Sequence, residues 1–402
     1  MKPLRVGMIG VGGVGAMHLR CLGDLESEGR VQLIAVADPT VEKLPAEKAH
    51  LDSQGVRWHL DYRSMLEKES ELEAVVIITP VPFHFEMTKA CIERGVFVYL
   101  EKPPVPLIQQ LDELIALDGQ ERVHVAFQWI SSEPIQHMKE LVISGRLGRI
   151  RSIRVTASWA RAADYYSRAA WAGKMIACGQ PVFDGPATNA LAHMIHNIMF
   201  LAGKTHETFA EPTMIEGELY RARPIESYDV VCLRGEFSSG ITFAAGFAHA
   251  CEESVGIQLE IKGEAGWATL SRDGAHFESS AGEREFSTDY HASFGRSTSD
   301  FVDFATGRRD RAVTRLRDAR GYVLATNGAL VSSGGVRGID PMYVRTFNEG
   351  PKLGYALDSI AERNESLLRD GALYSESGAP WARRGAVVDL QKLTFLDLEA
   401  YR

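Results

Sequence analysis

A glycine-rich segment near the start of the sequence constrains this chain more than any other feature. The apolar residues Val6–Ile9 lead into Gly10, Gly12 and Gly15, and helix-prone residues 16–20 follow. In a strand–turn–helix unit, the first glycine permits the tight turn, the second lets a pyrophosphate approach the backbone, and the third lets helix and strand pack closely. The phosphates would then lie against the amides of the helix N-terminus. The predicted cofactor contacts of this turn are Gly10, Gly12, Gly13, Val14 and Gly15.

An acidic residue ends the next predicted strand. Residues Val31–Ala37 have the pattern of a buried strand, and Asp38 follows them directly. A carboxylate at this position hydrogen-bonds the adenosine ribose hydroxyls and repels a 2′-phosphate. The sequence therefore predicts that the dinucleotide is NAD rather than NADP.

Composition narrows the class of protein. The 402 residues suffice for two domains with a sizeable core, and 45% hydrophobic with 24% charged residues is ordinary for a globular protein. The net charge of −9 argues against nucleic acid or an anionic membrane as the main partner. No run of about 18 apolar residues predicts a membrane span, and the N-terminus lacks a signal-peptide pattern.

The cysteines point to a reducing compartment. Their spacing has no C-x-x-C pattern, so all five are predicted to be buried free thiols, and the protein is expected to be cytoplasmic. The five are Cys21, Cys91, Cys178, Cys232 and Cys251.

Strand and helix patterns alternate up to residue 127, which predicts an α/β Rossmann domain with a doubly wound parallel sheet. Successive strand-like segments from 213 to 290 predict a second, α+β domain with an open-faced, mainly antiparallel sheet. Later helices are predicted near 298–306, 317–331 and 353–369. The predicted domains are an NAD-binding domain at 1–127, a substrate-binding and oligomerisation domain at 128–350, and a helical segment at 351–402 that packs on both.

Two loops at the carboxyl ends of predicted parallel strands carry candidate site residues, because ligands bind at that edge of such sheets. Thr79, Pro80 and His84 are expected to line the nicotinamide half of the dinucleotide; the alternative is a rigid turn with a capping histidine. Glu101 and Lys102 follow the next strand, and Lys102 is suited to proton exchange with a substrate hydroxyl. The Lys102–Pro103 bond is a candidate for the cis form.

A predicted helix at 187–202 carries polar residues among apolar ones. Asn189, His193 and His196 fall at i, i+4 and i+7, which would place them on one helix face. His193 is the candidate acid or base; a hydrogen-bonded core network is the alternative. Zinc binding by the two histidines, with Asp184 as a third ligand, is a minor possibility, and no metal is expected.

The loop at 159–174 alternates aromatic and cationic residues. Aromatic faces stack on sugar C–H surfaces and guanidinium groups hold hydroxyls or carboxylates, so we expect a substrate contact here; a loop at a domain interface is the alternative. The expected substrate contacts are Arg161, Tyr165, Arg168 and Lys174, together with Asn189 and His193, and Tyr166 is a further catalytic candidate.

These segments, in this order, resemble the Gfo/Idh/MocA oxidoreductase family, which includes glucose-fructose oxidoreductase and inositol dehydrogenase. The resemblance rests on the glycine turn with His18, on Ala35–Asp38, on Thr79-Pro80 with His84, on Glu101-Lys102-Pro103, on Ser144–Gly148, and on Asp318–Arg320 leading to Ser332–Gly334. It implies NAD(P)-linked chemistry on sugars, cyclitols or related polyols, with Lys102 as the catalytic lysine. It also implies a homodimer or homotetramer.

The sequence departs from the family pattern in two places. Where the family helix usually carries Asp, His and Asp, this chain has Asn189, His193 and His196, so proton transfer would depend on Lys102 and His193. The segment after strand six, usually rich in Asn and Arg, reads Gln128-Trp129 here. The predicted cofactor contacts are completed by Glu101, Lys102, Gln128 and, in the later loop, Trp171.

Three functions are compatible with these residues. The first is an NAD-dependent dehydrogenase that oxidises a secondary alcohol of a sugar, sugar derivative or cyclitol. The second is a redox-neutral NAD-dependent glycosidase or lyase, in which Tyr165, Tyr166 and His196 supply extra acid–base groups and cations hold an anionic sugar. The third is a non-enzymatic NAD sensor. The cations considered are Arg161, Arg168, Lys174, Arg221 and Arg223.

Overall fold

The protein, described by a computed structural model over residues 2–287, 290–350 and 352–401, consists of two compact units. The first unit comprises residues 1–105, 110–131 and 289–319, and the second comprises 106–109, 132–288 and 320–402. Each unit has its own sheet and its own core.

The first unit is a six-stranded parallel sheet with helices between the strands. The strand order β3-β2-β1-β4-β5-β6 confirms the doubly wound arrangement. The strands are β1 Leu4–Ile9, β2 Val31–Ala37, β3 Arg57–His59, β4 Ala74–Ile77, β5 Phe97–Glu101 and β6 Val123–Ala126. The helices up to β6 are α1 Gly15–Ser27, α2 Pro45–Ser53, α3 Tyr62–Lys68, α4 His84–Arg94 and α5 Ile108–Leu117.

A helix far along the chain also belongs to the first unit. Helix α9, Tyr290–Ala305, buries Phe301 and Val302 in the cluster formed by the side chains of β1 and β2. The Arg30 guanidinium donates to the Asp303 carboxylate at 2.9 Å. The structure therefore divides the chain differently from the predicted boundaries, because the apolar face of α9 completes the first core rather than the second.

The second unit is built on a ten-stranded sheet with the order β16-β15-β14-β13-β7-β12-β11-β10-β17, and β20 pairs with β10. Most pairs are antiparallel, as expected; the β7–β12 and β10–β17 pairs are parallel. The strands are β7 Ile150–Ser158, β10 Pro212–Arg221, β11 Val230–Phe237, β12 Thr242–Ala248, β13 Val255–Gly263, β14 Trp267–Ser271, β15 His276–Ser279, β16 Gly282–Glu285, β17 Arg337–Gly338 and β20 Val388–Asp389.

The remaining elements of the second unit are short strand pairs and helices. The strand pairs are β8 Ile176–Ala177 with β9 Gln180–Pro181, and β18 Val344–Glu349 with β19 Lys352–Leu357. The helices are α6 Glu133–Ile143, α7 Ala163–Ser167, α8 Ala192–Leu201, α10 Arg320–Ser333 and α11 Ile360–Asp370.

Two helix predictions are corrected here. The predicted helix at 187–202 is interrupted: Pro186–Ala190 is a π-helical turn, closed by Leu191 N–H donating to the Pro186 carbonyl at 2.8 Å, and α8 begins only at Ala192. The predicted helix at 353–369 is also wrong in its first part. Residues 352–357 form β19, because they pair in antiparallel register with β18 and bury Ala356 and Leu357.

The sheet face expected to be open is partly covered by the chain itself. Helix α11 packs on β7 and β12, and Leu367, Leu373 and Tyr374 join Cys232 and Ala248 of the sheet in one buried cluster. The 351–402 segment belongs to the second unit and contains β19, α11 and the short strand β20. The expected homodimer or homotetramer stays a prediction.

The cysteine prediction holds for four of the five residues. All five thiols are free, and Cys178 is exposed because it lies at the tip of the β8–β9 hairpin with φ of 53°. Within the described ranges, no helix combines the length and apolarity that a bilayer crossing requires.

Candidate active site

The glycine turn between β1 and α1 has the close packing that its sequence predicts. At Gly10, with φ of 87°, an added Cβ would lie 2.3 Å from the Ile78 carbonyl oxygen. At Gly15 it would lie 2.7 Å from the Gly10 carbonyl oxygen, whereas at Gly13 nothing lies within 4 Å. The turn thus packs tightly on its protein side and leaves open space at Gly13, which fits a pyrophosphate group held by backbone amides.

Asp38 is fixed at the end of β2 by hydrogen bonds. One carboxylate oxygen accepts from the Val11 N–H at 2.9 Å, and the other accepts from the Thr40 N–H at 2.8 Å and its hydroxyl at 2.7 Å. Burial opposes ionisation, but these donors outweigh it and the pKa of Asp38 lies below its ordinary value. A fixed negative charge beside the glycine turn is the feature that favours NAD over NADP.

Lys102 follows β5 directly, and hydrogen bonds fix its backbone. The buried Glu101 accepts from the Lys102 N–H at 2.8 Å, and its other oxygen lies 3.2 Å from Nε2 of the buried His18. Burial raises the pKa of Glu101, but the contact with His18 and the charge of Lys102 outweigh this and hold the pKa below its ordinary value. The Lys102–Pro103 bond is cis, as the sequence suggested, and the Lys102 side chain is half-buried.

His84 ties the two predicted cofactor loops together. Its Nδ1 lies 2.8 Å from the Pro103 carbonyl oxygen and its Nε2 lies 2.8 Å from the Thr79 carbonyl oxygen. Burial lowers the pKa of His84, although its contacts with the two carbonyl oxygens act in the opposite direction. Because both nitrogens face the backbone, His84 positions the loops. The less buried Thr79 and Pro80 are the ones left to contact a cofactor.

Gln128 is a polar residue buried without a partner. It follows β6 in a short 3₁₀ turn, is 1% exposed, and neither its amide oxygen nor its amide nitrogen has a hydrogen-bond partner in the part of the chain that the structure describes. Buried amides are almost always hydrogen-bonded. Because the unpaired Gln128 amide lies in the unit that carries the glycine turn, it is consistent with the prediction that Gln128 contacts the cofactor.

In the second unit the π-helical turn brings Asn189 onto Asp184. The Asn189 amide donates to one Asp184 carboxylate oxygen at 2.8 Å, and the Gly173 N–H donates to the other at 2.7 Å. Asp184 was not among the predicted acid–base or substrate contacts, although it directly precedes the turn in sequence. This pair places the Asp184 carboxylate beside Asn189, at whose position the family pattern has an aspartate.

The two histidines of α8 differ in their surroundings. His193, in the first turn of the helix, is 5% exposed, and His196 is fully buried, with its ring centroid 5.1 Å from that of Phe209. Since Asn189 lies in the preceding π-helical turn, the three residues do not belong to one continuous α-helix as the sequence predicted. The acid–base roles of His193 and His196 stay predictions.

The loop after β7 forms a stacked series of aromatic and guanidinium groups, which we call the arginine ladder. The Arg161 guanidinium carbon lies 5.4 Å from the ring centroid of Trp159 and 4.9 Å from that of Tyr165. The Arg168 guanidinium carbon lies 3.8 Å from the Tyr165 centroid and 4.7 Å from the Trp171 centroid. The structure thus places Trp171, predicted as a cofactor contact, in the second unit against Arg168.

A buried polar pair underlies the arginine ladder. The Tyr166 hydroxyl lies 2.8 Å from His249 Nδ1, and the Arg223 guanidinium lies over the Tyr166 ring at 4.7 Å. Arg223 donates to the Asp229 carboxylate at 2.6 Å and to the carbonyls of Arg161 and His249 at 2.7 and 2.9 Å. Burial raises the pKa of Tyr166 well above its ordinary value, so this hydroxyl is protonated at neutral pH.

Two predicted cations are engaged elsewhere. The Lys174 ammonium is exposed and lies 4.0 Å from the Glu226 carboxylate, and the Arg221 guanidinium donates to the Glu226 carbonyl at 3.0 Å. Sequence reasoning missed His249 and Asp229 entirely, since each lies on or beside a strand distant in sequence from the loop that it supports. No local pattern could have identified them.

Comparisons with known proteins agree with this fold. A family model described as an oxidoreductase family with an NAD-binding Rossmann fold matches residues 4–128, and the Gfo/Idh/MocA C-terminal domain model matches 135–269. Inositol 2-dehydrogenase of Streptomyces avermitilis is 37% identical over 149 residues, which are 36% of this chain and 42% of that relative. The chain thus spans about two fifths of the length of the first curated relatives that it matches.

Solved structures resemble the chain over a greater length. The WlbA dehydrogenase of Bordetella pertussis, solved with NADH and UDP-GlcNAcA, has a TM-score of 0.70 at 19% identity and covers 83% of this chain and 96% of its own. The myo-inositol 2-dehydrogenase of Lactobacillus plantarum has a TM-score of 0.64 at 21% identity and covers 82% and 97%. At such identities the likeness shows the fold. These relatives are dehydrogenases, so the glycosidase alternative gains no support from them.

Proposed function

The chain belongs to the Gfo/Idh/MocA oxidoreductase family, and on that premise we propose that it is an NAD-dependent dehydrogenase acting on a secondary alcohol of a sugar, sugar derivative or cyclitol. Lys102 and His193 are its proposed acid–base residues. The observation that carries the proposal is the arrangement at the end of β5, where buried Glu101 holds the backbone of Lys102 in the unit with the glycine turn.

The first unit would hold the cofactor through backbone and side-chain groups already fixed in place. The amides of the glycine turn bind the pyrophosphate, Asp38 binds the ribose hydroxyls, and Thr79, Pro80 and Gln128 contact the remainder. When bound, NAD supplies an acceptor for the hydride of the substrate carbon.

Lys102 would exchange a proton with the substrate hydroxyl. Its backbone N–H donates to Glu101, and Glu101 in turn contacts His18. The backbone of Lys102 is therefore fixed, whereas Nζ lies at the end of a flexible side chain. Losing the hydroxyl proton to a side chain leaves the alkoxide from which hydride departs readily. General acid–base catalysis of this kind contributes roughly 10²–10⁴-fold to a rate.

The second unit would bind and orient the sugar. We assign His193 as the second proton-transfer group, and the Asn189 amide, fixed on Asp184, as the group that orients a hydroxyl. Tyr165 and the cations of the 159–174 loop are the remaining proposed substrate contacts. The catalytic roles of Tyr166 and His196 stay predictions.

The test is NADH formation from a panel of sugars, sugar acids, sugar phosphates and cyclitols. With an active alcohol, we expect Lys102→Ala to lower kcat about 10²–10⁴-fold while NAD affinity stays within a few-fold, because the cofactor is held elsewhere. The control is Lys89→Ala, which removes an exposed lysine paired with Glu113 in the same unit. Full turnover by the Lys102 variant, or no NADH from any alcohol, would contradict the proposal.

A further inference from the structure

The two arginines of the arginine ladder contact aromatic rings, and such contacts do not themselves satisfy the N–H donors of a guanidinium group. Stacking on a ring uses the flat face of a guanidinium, whereas its N–H donors lie in the plane and point outward. In this ladder Arg161 lies between Trp159 and Tyr165, and Arg168 lies between Tyr165 and Trp171. Each cation is therefore oriented by aromatic rings before any ligand arrives.

Three guanidiniums of this region differ in how many of their donors are used. Arg223 is 4% exposed, and each of its three nitrogens donates a hydrogen bond, one to the Asp229 carboxylate and two to backbone carbonyls. The exposed Arg168 donates to the Tyr165 carbonyl and lies 3.8 Å from the Asp184 carboxylate. Both have a carboxylate from the protein itself.

Arg161 is different. Among the described residues it has no carboxylate within 4.0 Å, its Nε is buried without a hydrogen-bond partner, and the side chain is only half-buried. A guanidinium that is fixed, partly desolvated and left without an anion is unfavourable in the free protein. A carboxylate or phosphate, which matches its fork of donors, would satisfy it.

A second unsatisfied group lies against the same aromatic ring. His249 is 1% exposed, its ring centroid is 5.4 Å from that of Tyr165, and its Nε2 has no partner within the described ranges. Burial lowers the pKa of His249 well below its ordinary value, and the charges of Arg161, Arg223 and Arg168 lower it further. When Nδ1 accepts a hydrogen bond from the Tyr166 hydroxyl, the neutral His249 ring carries its proton on Nε2. This Nε2–H is then a further unused donor.

We propose that the arginine ladder is an anion-recognition site whose charged contact is Arg161, so that the preferred substrate is a sugar or cyclitol bearing a carboxylate or phosphate group. The statement that the ligand is a substrate rests on the proposed function, whereas the proposed anion-binding site does not. In this proposal the N–H donors of Arg161 bind the negative group of the ligand. Arg223, which is paired with Asp229, supports the loop by donating to the Arg161 carbonyl.

The test compares anionic and neutral ligands with the NAD-loaded protein. Affinities for glucose, glucuronate and glucose 6-phosphate are measured by calorimetry with the wild type, Arg161→Gln and Arg345→Gln. Arg345 is the matched control, because it is another guanidinium of the second unit that lies over a ring, Phe347, and pairs with an exposed carboxylate, Glu252. Folding of each variant is checked by its thermal midpoint, and Arg161→Met is used if Arg161→Gln does not fold.

We expect the wild type and Arg345→Gln to prefer glucuronate or glucose 6-phosphate over glucose by roughly 10- to 100-fold, with the preference weakened by salt. The arm that binds better distinguishes a carboxylate from a phosphate. In Arg161→Gln the preference should fall to within about threefold. An unchanged preference in a folded Arg161 variant, or no preference in the wild type, would overturn the inference.

Measuring NADH formation as well as ligand binding distinguishes a failure of this inference from a failure of the proposed function. NADH formed from alcohols without any preference for anions would refute the anion site and leave the dehydrogenase intact. Arg161-dependent anion binding without NADH from any alcohol would refute the dehydrogenase and leave the site intact.

Discussion

The two units present their candidate site residues in opposite ways. In the first unit the glycine turn, Asp38 and Glu101-Lys102 each lie at the end of a parallel strand, so the topology of one sheet brings them to one edge. In the second unit the arginine ladder depends on Arg223 and His249, which follow β10 and β12 much later in the chain, and the Tyr166–His249 bond spans 83 residues. One site is made by local motifs on a regular frame, and the other by long-range contacts.

This difference predicts where each unit is vulnerable. Local motifs fail through backbone conformation, because their function lies in turns and amides. Long-range clusters fail when one partner of a buried pair is removed, because the other partner is left without compensation. Three variants test this contrast, from the largest expected effect to the smallest.

The largest effect is expected at the buried Arg223–Asp229 pair. Asp229→Asn should lower the free energy of unfolding by about 3–5 kcal/mol, because Arg223 would keep a buried charge without its carboxylate. Urea denaturation measures the change. The control is Asp164→Asn, which breaks an exposed ion pair with Lys352 at 2.7 Å and should change stability little. Equal effects of the two variants would mean that the cluster is not held by its buried pair.

The glycine turn provides the local counterpart. Gly10→Ala should cost about 3 kcal/mol or more, since its Cβ would lie 2.3 Å from the Ile78 carbonyl oxygen and the residue has φ of 87°. Gly13→Ala is the matched control: its φ of 61° is also positive but its Cβ would meet nothing within 4 Å, so about 1–2 kcal/mol is expected. Denaturation without cofactor separates steric from binding effects, and equal losses would contradict the packing argument.

Per pH unit, the smallest effect is expected at Lys139 of α6, another long-range contact. Its buried ammonium donates to the carbonyls of Phe200 and Gly203 at the end of α8, and burial lowers its pKa from 10.5 to about 7. Between those two pH values the unfolded chain binds more protons than the folded one, so stability rises with pH.

Lys139→Met should therefore flatten the rise in stability between pH 7 and pH 10.5 by up to about 1.4 kcal/mol per pH unit. Denaturation midpoints across this range measure the slope, and the difference from wild type isolates Lys139 from other titrating groups. Lys89→Met, at an exposed site, should keep the wild-type slope. A slope that survives in Lys139→Met would show that the lysine is not desolvated in solution.

Much of the first unit could be predicted from the sequence. The strand after residue 31, the apolar β4 and the placement of Asp38 and Lys102 follow from hydrophobic period and turn chemistry, which act over a few residues. The exception is α9, which sequence order assigned to the second unit. Only packing decided that Phe301 and Val302 complete the first core.

In the second unit, by contrast, the sequence determined the elements but not the site. It predicted a mainly antiparallel sheet and an unusual loop of arginines and aromatics. Tertiary structure decided that Asn189 donates to Asp184, that Arg161 has no carboxylate within 4.0 Å among the described residues, and that His249 contacts Tyr166 of the loop. The reason is physical: a pattern of a few residues fixes local backbone geometry, whereas the state of a buried donor depends on which distant groups the fold brings to it.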